Sequence, residues 1–148
     1  IDDFNIMAGY SYNDMRYTKT TGATGSFIEG DRLVRTPQHT ANLSFFYTVQ
    51  TGVLKNVSVG AIGNYIGDRL GGWNNQVNPA YPNGIWDREI PVNGYTTIDV
   101  SLGYNWKQFS LLCKLSNITN ELNYTLHENY SVNPIAPRQI LTSLRYKF

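Results

Sequence analysis

The segment Pro137 to Phe148 reads PRQILTSLRYKF. Ile140, Leu144, Tyr146 and Phe148 fall at even spacing, and Gln139, Ser143, Arg145 and Lys147 lie between them. Alternation of period two over this length predicts a β-strand with one apolar and one polar face. The same period recurs upstream and predicts strands over residues 4–16, 39–49, 57–67, 95–106, 109–117 and 138–148. Val, Ile, Tyr, Phe and Thr fill these runs, while Gly, Asn, Pro and Asp gather between them, as strand and turn chemistry requires. Helical periodicity is scarce, so the fold class expected is all-β and antiparallel.

The connections alternate in length. Residues 49–56 and 107–108 are short, whereas 18–38, 68–94 and 118–137 are long. In an antiparallel sheet this order puts every long loop at one end. Loops of that length are uncommon in compact domains and tend to carry function. The asymmetry is that of outer-membrane β-barrels, which have short periplasmic turns and long extracellular loops.

The two faces differ in kind. One phase per strand (Phe4 to Tyr12, Ala41 to Val49, Val57 to Tyr65, Thr96 to Trp106, Phe109 to Leu115 and Ile140 to Phe148, every second residue) samples 30 positions without a charge. At 16% charged residues about five would be expected by chance. The opposite face carries Asp99, Lys114, Arg145 and Lys147 among many Asn, Ser, Thr and Gly. A Lys or Arg at the midplane of a barrel's lipid face costs about 2–4 kcal/mol, which accounts for the exclusion. Aromatic residues mark both ends of the apolar face. Tyr47, Tyr104, Trp106, Phe109, Tyr146 and Phe148 lie toward the short turns, and Tyr10, Tyr12 and Tyr65 toward the long loops, as interfacial girdles do. A soluble β-sandwich or ligand-binding barrel also alternates, but it explains neither the loop asymmetry nor a second face this polar.

Composition narrows the class further. The 148 residues suit one domain. No apolar run approaches the ~18 residues a membrane helix needs, so the membrane is reachable only through strands. The formal net charge of +1 argues against a nucleic-acid partner held by phosphate contacts. Cys113 is the single cysteine and has no internal partner; its phase puts it on the apolar face as a small apolar residue. The opening IDDFNIMAGYSY lacks the basic start and apolar core of a secretory signal, which suggests a partial or processed chain.

No catalytic constellation is present: there is no G-x-S-x-G, H-E-x-x-H, P-loop or C-x-x-C, and neither a cofactor nor a metal site is expected. The candidate chemistry lies in the long loops. Arg69, Trp73, Tyr81, Trp86 and Arg88 combine flat aromatic faces with guanidinium groups, which suits an anionic aromatic metal chelate or a glycan. His127 and Tyr130 offer a weaker set in 118–137. The bland alternative is that these aromatics only pack the loops onto their neighbours. Asn117 and Asn123 head N-x-(S/T) triplets that a bacterial outer-membrane protein makes incidental.

Several motifs resemble, in order, the late barrel of TonB-dependent outer-membrane receptors. VRTPQHTANLSFFY (34–47) is similar to the R-T-P-x-H segment that opens a late strand, and GNYIGDRL (63–70) resembles the next rising strand. YTTIDVSLGYNW (95–106) with FSLLCKLSNITNELNY (109–124) resembles the following hairpin, including the element Asn117-Ile118-Thr119-Asn120 with Tyr124. APRQILTSLRYKF (136–148) resembles the closing strand. The resemblance implies that residues 1–148 are the last six strands of a plugged barrel of 22 strands, with the plug and earlier strands elsewhere in the protein. It implies import of a ferric-siderophore-like substrate driven by the TonB complex, lipid around the barrel, long loops outside the cell and the C-terminus at the periplasmic side. Phe148, with Tyr146 and Leu144, resembles the terminal signal read by the outer-membrane assembly machinery. Two other membrane readings stay open: a glycan-importing transporter of the same family, and a small complete barrel of porin or adhesin type. The small barrel would need two more strands from the long loops, where Pro, Gly and Asn are dense.

Overall fold

The structure is a computed structural model, and it describes residues 4–19, 29–73, 89–127 and 131–148. Six long strands form one antiparallel sheet: β1 (Phe4–Tyr12), β2 (His39–Thr48), β3 (Val57–Ile66), β6 (Tyr95–Trp106), β7 (Phe109–Ser116) and β10 (Gln139–Tyr146), in the order β1-β2-β3-β6-β7-β10. The predicted runs are found within a few residues, and every neighbour in the sheet is the next long strand in the chain. The larger difference is at β1, expected to reach residue 16. Its ladder breaks after Tyr12, where the Asp14 carboxylate is engaged by Arg16 Nε and Gln38 Nε2. Such local side-chain bonds compete with a ladder. Beyond the break, Met15 and Tyr17 still exchange backbone hydrogen bonds with residues 30–33.

The loops contain structure that alternation did not reveal. Within 68–94, β4 (Arg69–Trp73) pairs with β5 (Glu89–Val92) across a register shift between Leu70 and Gly72. Within 118–137, β8 (Tyr124–His127) pairs with β9 (Ser131–Pro134). Gly71, Gly72 and Pro91 read as breakers in sequence, yet a two-stranded edge ribbon tolerates both residue types. These four strands make two separate two-stranded sheets and do not extend the main sheet. They therefore do not complete a small eight-stranded barrel.

Register decides the face question. The pairings align the uncharged phase of each strand with that of its neighbour. Phe4, Tyr47, Val59, Leu102, Cys113 and Thr142 form one row across all six strands, and Ile6, Phe45, Ala61, Val100, Leu115 and Ile140 form the next. A slip of one residue anywhere would move a strand's apolar set to the other face. The face is exposed rather than covered: Ile140 is 74% and Leu102 55% accessible. Leu70 is the single buried apolar residue among the described ones. A soluble sandwich of this size would bury the inner faces of two sheets against each other, and among the described residues no second sheet covers this face. Cys113 lies on this face, exposed.

The opposite face is polar but not uniformly so. Asp99 and Lys114 form an ion pair of 2.8 Å, and Asp99 also accepts from the Asn117 backbone N–H at 2.9 Å. Phe46 lies beside Gly60, where a Cβ would come within 2.7 Å of Ser101 Oγ and 3.0 Å of Phe46 Cδ2.

Candidate functional site at the long-loop end

The sheet's aromatic ends are built as predicted. At the short-turn end the rings of Trp106, Phe109, Tyr146 and Phe148 follow one another, with Phe109 and Tyr146 at 4.9 Å and Tyr146 and Phe148 at 5.0 Å between centroids. At the long-loop end His39 joins the girdle, a role that its place at a strand start did not disclose. Its Nδ1 is hydrogen-bonded to the Tyr10 hydroxyl at 2.8 Å, and its ring lies 5.1 Å from that of Tyr12. Just above, the Arg16 guanidinium holds the Asp14 carboxyl below its ordinary range, and Gln38 acts in the same direction.

The site itself begins where β3 hands over to β4. Gly67 and Gly94 allow two backbones to pass: a Cβ on Gly94 would lie 2.7 Å from the Ile66 carbonyl oxygen, and one on Gly67 would lie 2.8 Å from that of His39. Asp68 fastens the crossing by accepting the Gly94 N–H. The next residue, Arg69, turns toward the polar side and is 5% accessible. Its Nη1 donates to the Asn93 carbonyl at 3.2 Å, and its Nη2 donates to Asn123 Oδ1 at 2.8 Å and to the Tyr124 carbonyl. Its guanidinium carbon lies 5.3 Å from the Tyr95 ring centroid. Among the described residues no carboxylate forms an ion pair with it. A buried cation held, among the described residues, by carbonyl and amide dipoles and an aromatic ring keeps a positive field around it.

Three asparagines complete the frame, and reading Asn117 and Asn123 as incidental triplets missed their role. Asn117 is buried with φ at 49°; its Nδ2 donates to the Glu121 and Ala136 carbonyls. Asn120, also at positive φ, accepts the Arg138 N–H. Asn123 is buried and donates to the Asn93 carbonyl. Asn tolerates left-handed backbone and bonds locally, so the three-residue spacing from 117 to 123 ties three separate segments together. That spacing was the available signal. Burial of Asn117 and Asn123 also removes both as modification sites.

Beside the frame lies a cavity of about 580 Å³, lined by Arg35, Pro37, Ile66, Arg69, Tyr95 and Tyr124 among others. Ile66 and Tyr95 are register partners on the polar face, so the cavity opens on the side away from the apolar face. Of the predicted substrate residues, Arg69 lines this cavity. Trp73 ends β4 opposite Glu89, and His127 ends β8 opposite Ser131. Tyr81, Trp86, Arg88 and Tyr130 lie outside the described residues. Among the described residues no three His, Cys, Asp or Glu side chains gather as a metal site would need.

Comparison with known proteins agrees with this architecture. The family model for the TonB dependent receptor-like β-barrel matches residues 2–120. The metal-pseudopaline receptor CntO of Pseudomonas aeruginosa is 25% identical over 149 residues, 99% of this chain and 19% of its own. The ferrichrome outer membrane transporter/phage receptor of Escherichia coli is 24% identical over 152 residues, 97% of this chain and 18% of its own. Among solved structures, BauA, the ferric preacinetobactin receptor from Acinetobacter baumannii, superposes with a TM-score of 0.76 at 21% identity, covering 100% of this chain and 20% of that one. The chain thus spans about a fifth of the length of these relatives. With its family model matched over most of its length, and a single-layer antiparallel sheet whose one face is apolar and exposed, the chain belongs to the TonB-dependent receptor β-barrel family of the bacterial outer membrane.

Proposed function

We propose that these residues are the C-terminal part of the barrel of an outer-membrane active transporter that imports a ferric-siderophore-like chelate with energy from TonB. The observation that carries the reading is the continuous uncharged face across all six strands, which suits lipid and no aqueous surface. Among the described residues the sheet's two edges, β1 and β10, have no further strand beside them and leave backbone donors and acceptors unpaired. Lipid does not tolerate such edges, so we assign closure to further strands of the same protein, with a plug in the lumen to couple to TonB. In this orientation the long loops face the exterior and Phe148 the periplasm.

The cavity beneath the long loops supports a chelate as cargo. Arg69 and Tyr95 supply a fixed positive field and an aromatic face, and both suit a bulky anionic ligand. Relatives named for metal-pseudopaline and ferrichrome make a metal chelate the first class to try. The test is titration of the intact protein in detergent with a panel of ferric siderophores and neutral oligosaccharides, following intrinsic fluorescence. Saturable binding of a ferric chelate supports the proposal. Binding confined to an oligosaccharide would move the protein to glycan import and leave the barrel reading untouched.

A further inference from the structure

Charge is sorted by membrane side. At the long-loop end, among the described residues, Asp14, Asp68, Glu89 and Glu121 are interspersed with arginines. Mid-sheet, Asp99 and Lys114 cancel each other. At the short-turn end every charged side chain among the described residues is positive: Lys55, Lys107, Arg145 and Lys147. Arg145 in β10 and Lys147 just past its end share the polar phase. Lys55 and Lys107 sit in the turns themselves, at the edge of the apolar face.

The turns that carry these two lysines are held side by side. The Asn56 carbonyl accepts the Asn105 N–H at 3.1 Å, which holds the 49–56 turn against the end of β6; Gln108, next to Lys107, accepts the Lys147 N–H at 2.9 Å. Lys107 occupies a left-handed position, φ 52°, which L residues rarely take and Gly or Asn usually fills. Its ammonium lies 5.1 Å from the Trp106 ring centroid, at the level of the aromatic girdle. Beside it the 49–56 turn projects Val53, fully exposed, and Leu54, 62% accessible. Neither lysine has an ion-pair partner among the described residues. Bare aliphatic side chains beside unpaired ammonium groups, at the level of a girdle, match a headgroup layer in which apolar groups dip among acyl chains and lysines meet phosphate.

We infer that the short-turn rim, Lys55 and Lys107 with Val53, Leu54 and Trp106, binds the headgroup phosphates of anionic phospholipids in the adjoining leaflet. This rests on the membrane-barrel reading above. A juxtamembrane lysine near an anionic surface favours it by about fivefold, so two lysines give a preference large enough to measure. Asp2 and Asp3 precede Phe4 and lie outside the described residues; they stay in every variant, so any charge they bring is common to all.

The experiment uses the intact protein in micelles that contain equal dioleoyl phosphatidylglycerol and dioleoyl phosphatidylethanolamine, with retained lipids counted by native mass spectrometry. Wild type should retain the glycerol lipid in excess, and Lys55→Gln with Lys107→Gln should cut that excess about threefold or more. Raising salt should erode the wild-type preference because exposed charges are screened. A spin label on Leu54→Cys in a Cys113→Ala background, in nanodiscs, reports depth independently of lipid charge. A label at the interface with equal retention of the two lipids by wild type, or with a preference unchanged in the double variant, overturns the rim as the binding site and leaves the barrel standing. A label in bulk water overturns the membrane placement itself.

Discussion

Two kinds of arginine separate at the residue scale. Arg69 is buried and donates to three acceptors from two other segments. Arg69→Gln leaves at least one of these acceptors unsatisfied, at about 1–3 kcal/mol each. The intact protein's unfolding temperature should therefore fall, and its affinity for the chelate with it. Trp86 and Arg88 belong to the same long connection in sequence. Trp86→Ala with Arg88→Ala should weaken chelate binding while leaving the barrel as resistant to heat as wild type, because the six-stranded ladder carries the barrel's own backbone bonds. Titration and thermal unfolding of both variants side by side decide it. Unaltered affinity in the double variant would return these residues to loop packing.

The strands at the element scale invite a comparison of their two faces. Val59→Arg and Leu102→Arg place a charge on the apolar face of β3 and β6, at a cost that reaches about 2–4 kcal/mol at the midplane. Asn64→Arg places the same charge on the polar face of β3, between Asn42 and Thr97. Heat-resistant barrel recovered from outer-membrane fractions should drop for the first two and hold for the third. Equal yields for all three would end the lipid-face assignment. The crossing between β3 and β4 gives a steric counterpart. Gly94→Ala brings a methyl to 2.7 Å from the Ile66 carbonyl and 3.0 Å from the Gly67 carbonyl carbon. Both neighbours are backbone and cannot swing aside, so overpacking should cost about 1–3 kcal/mol and show as an earlier thermal transition of the loop end.

Assembly belongs to the scale of the whole molecule. Phe148 is fully exposed, and among the described residues its ring meets the end of the aromatic row through Tyr146. Its deletion removes few contacts, so the folded barrel should unfold at nearly the wild-type temperature. If Phe148, Tyr146 and Leu144 act as the assembly signal, outer-membrane yield in cells should nevertheless fall sharply. Refolding of the purified variant into detergent separates the two effects. Normal refolding with low cellular yield supports recognition by the assembly machinery, whereas normal yield leaves Phe148 as a girdle residue.

The amino-acid sequence by itself determined the six long strands, their faces and the end at which the long loops gather. Period-two alternation is a local property, and the price of charge in lipid writes itself into every strand separately, so Ile140 or Leu102 could be assigned without knowing its neighbours. Tertiary structure decided which residues meet. The pairing of Val59 with Leu102, and of Leu102 with Cys113, depends on register, which alternation leaves free by any even shift. The β4–β5 and β8–β9 ribbons were hidden because strands of four or five residues with Gly and Pro have too few positions to show a period. Arg69 was visible as a candidate but not as a buried one. Its burial comes from Asn93, Asn123 and Tyr124, residues 24 to 55 positions away that only the folded sheet brings to its side.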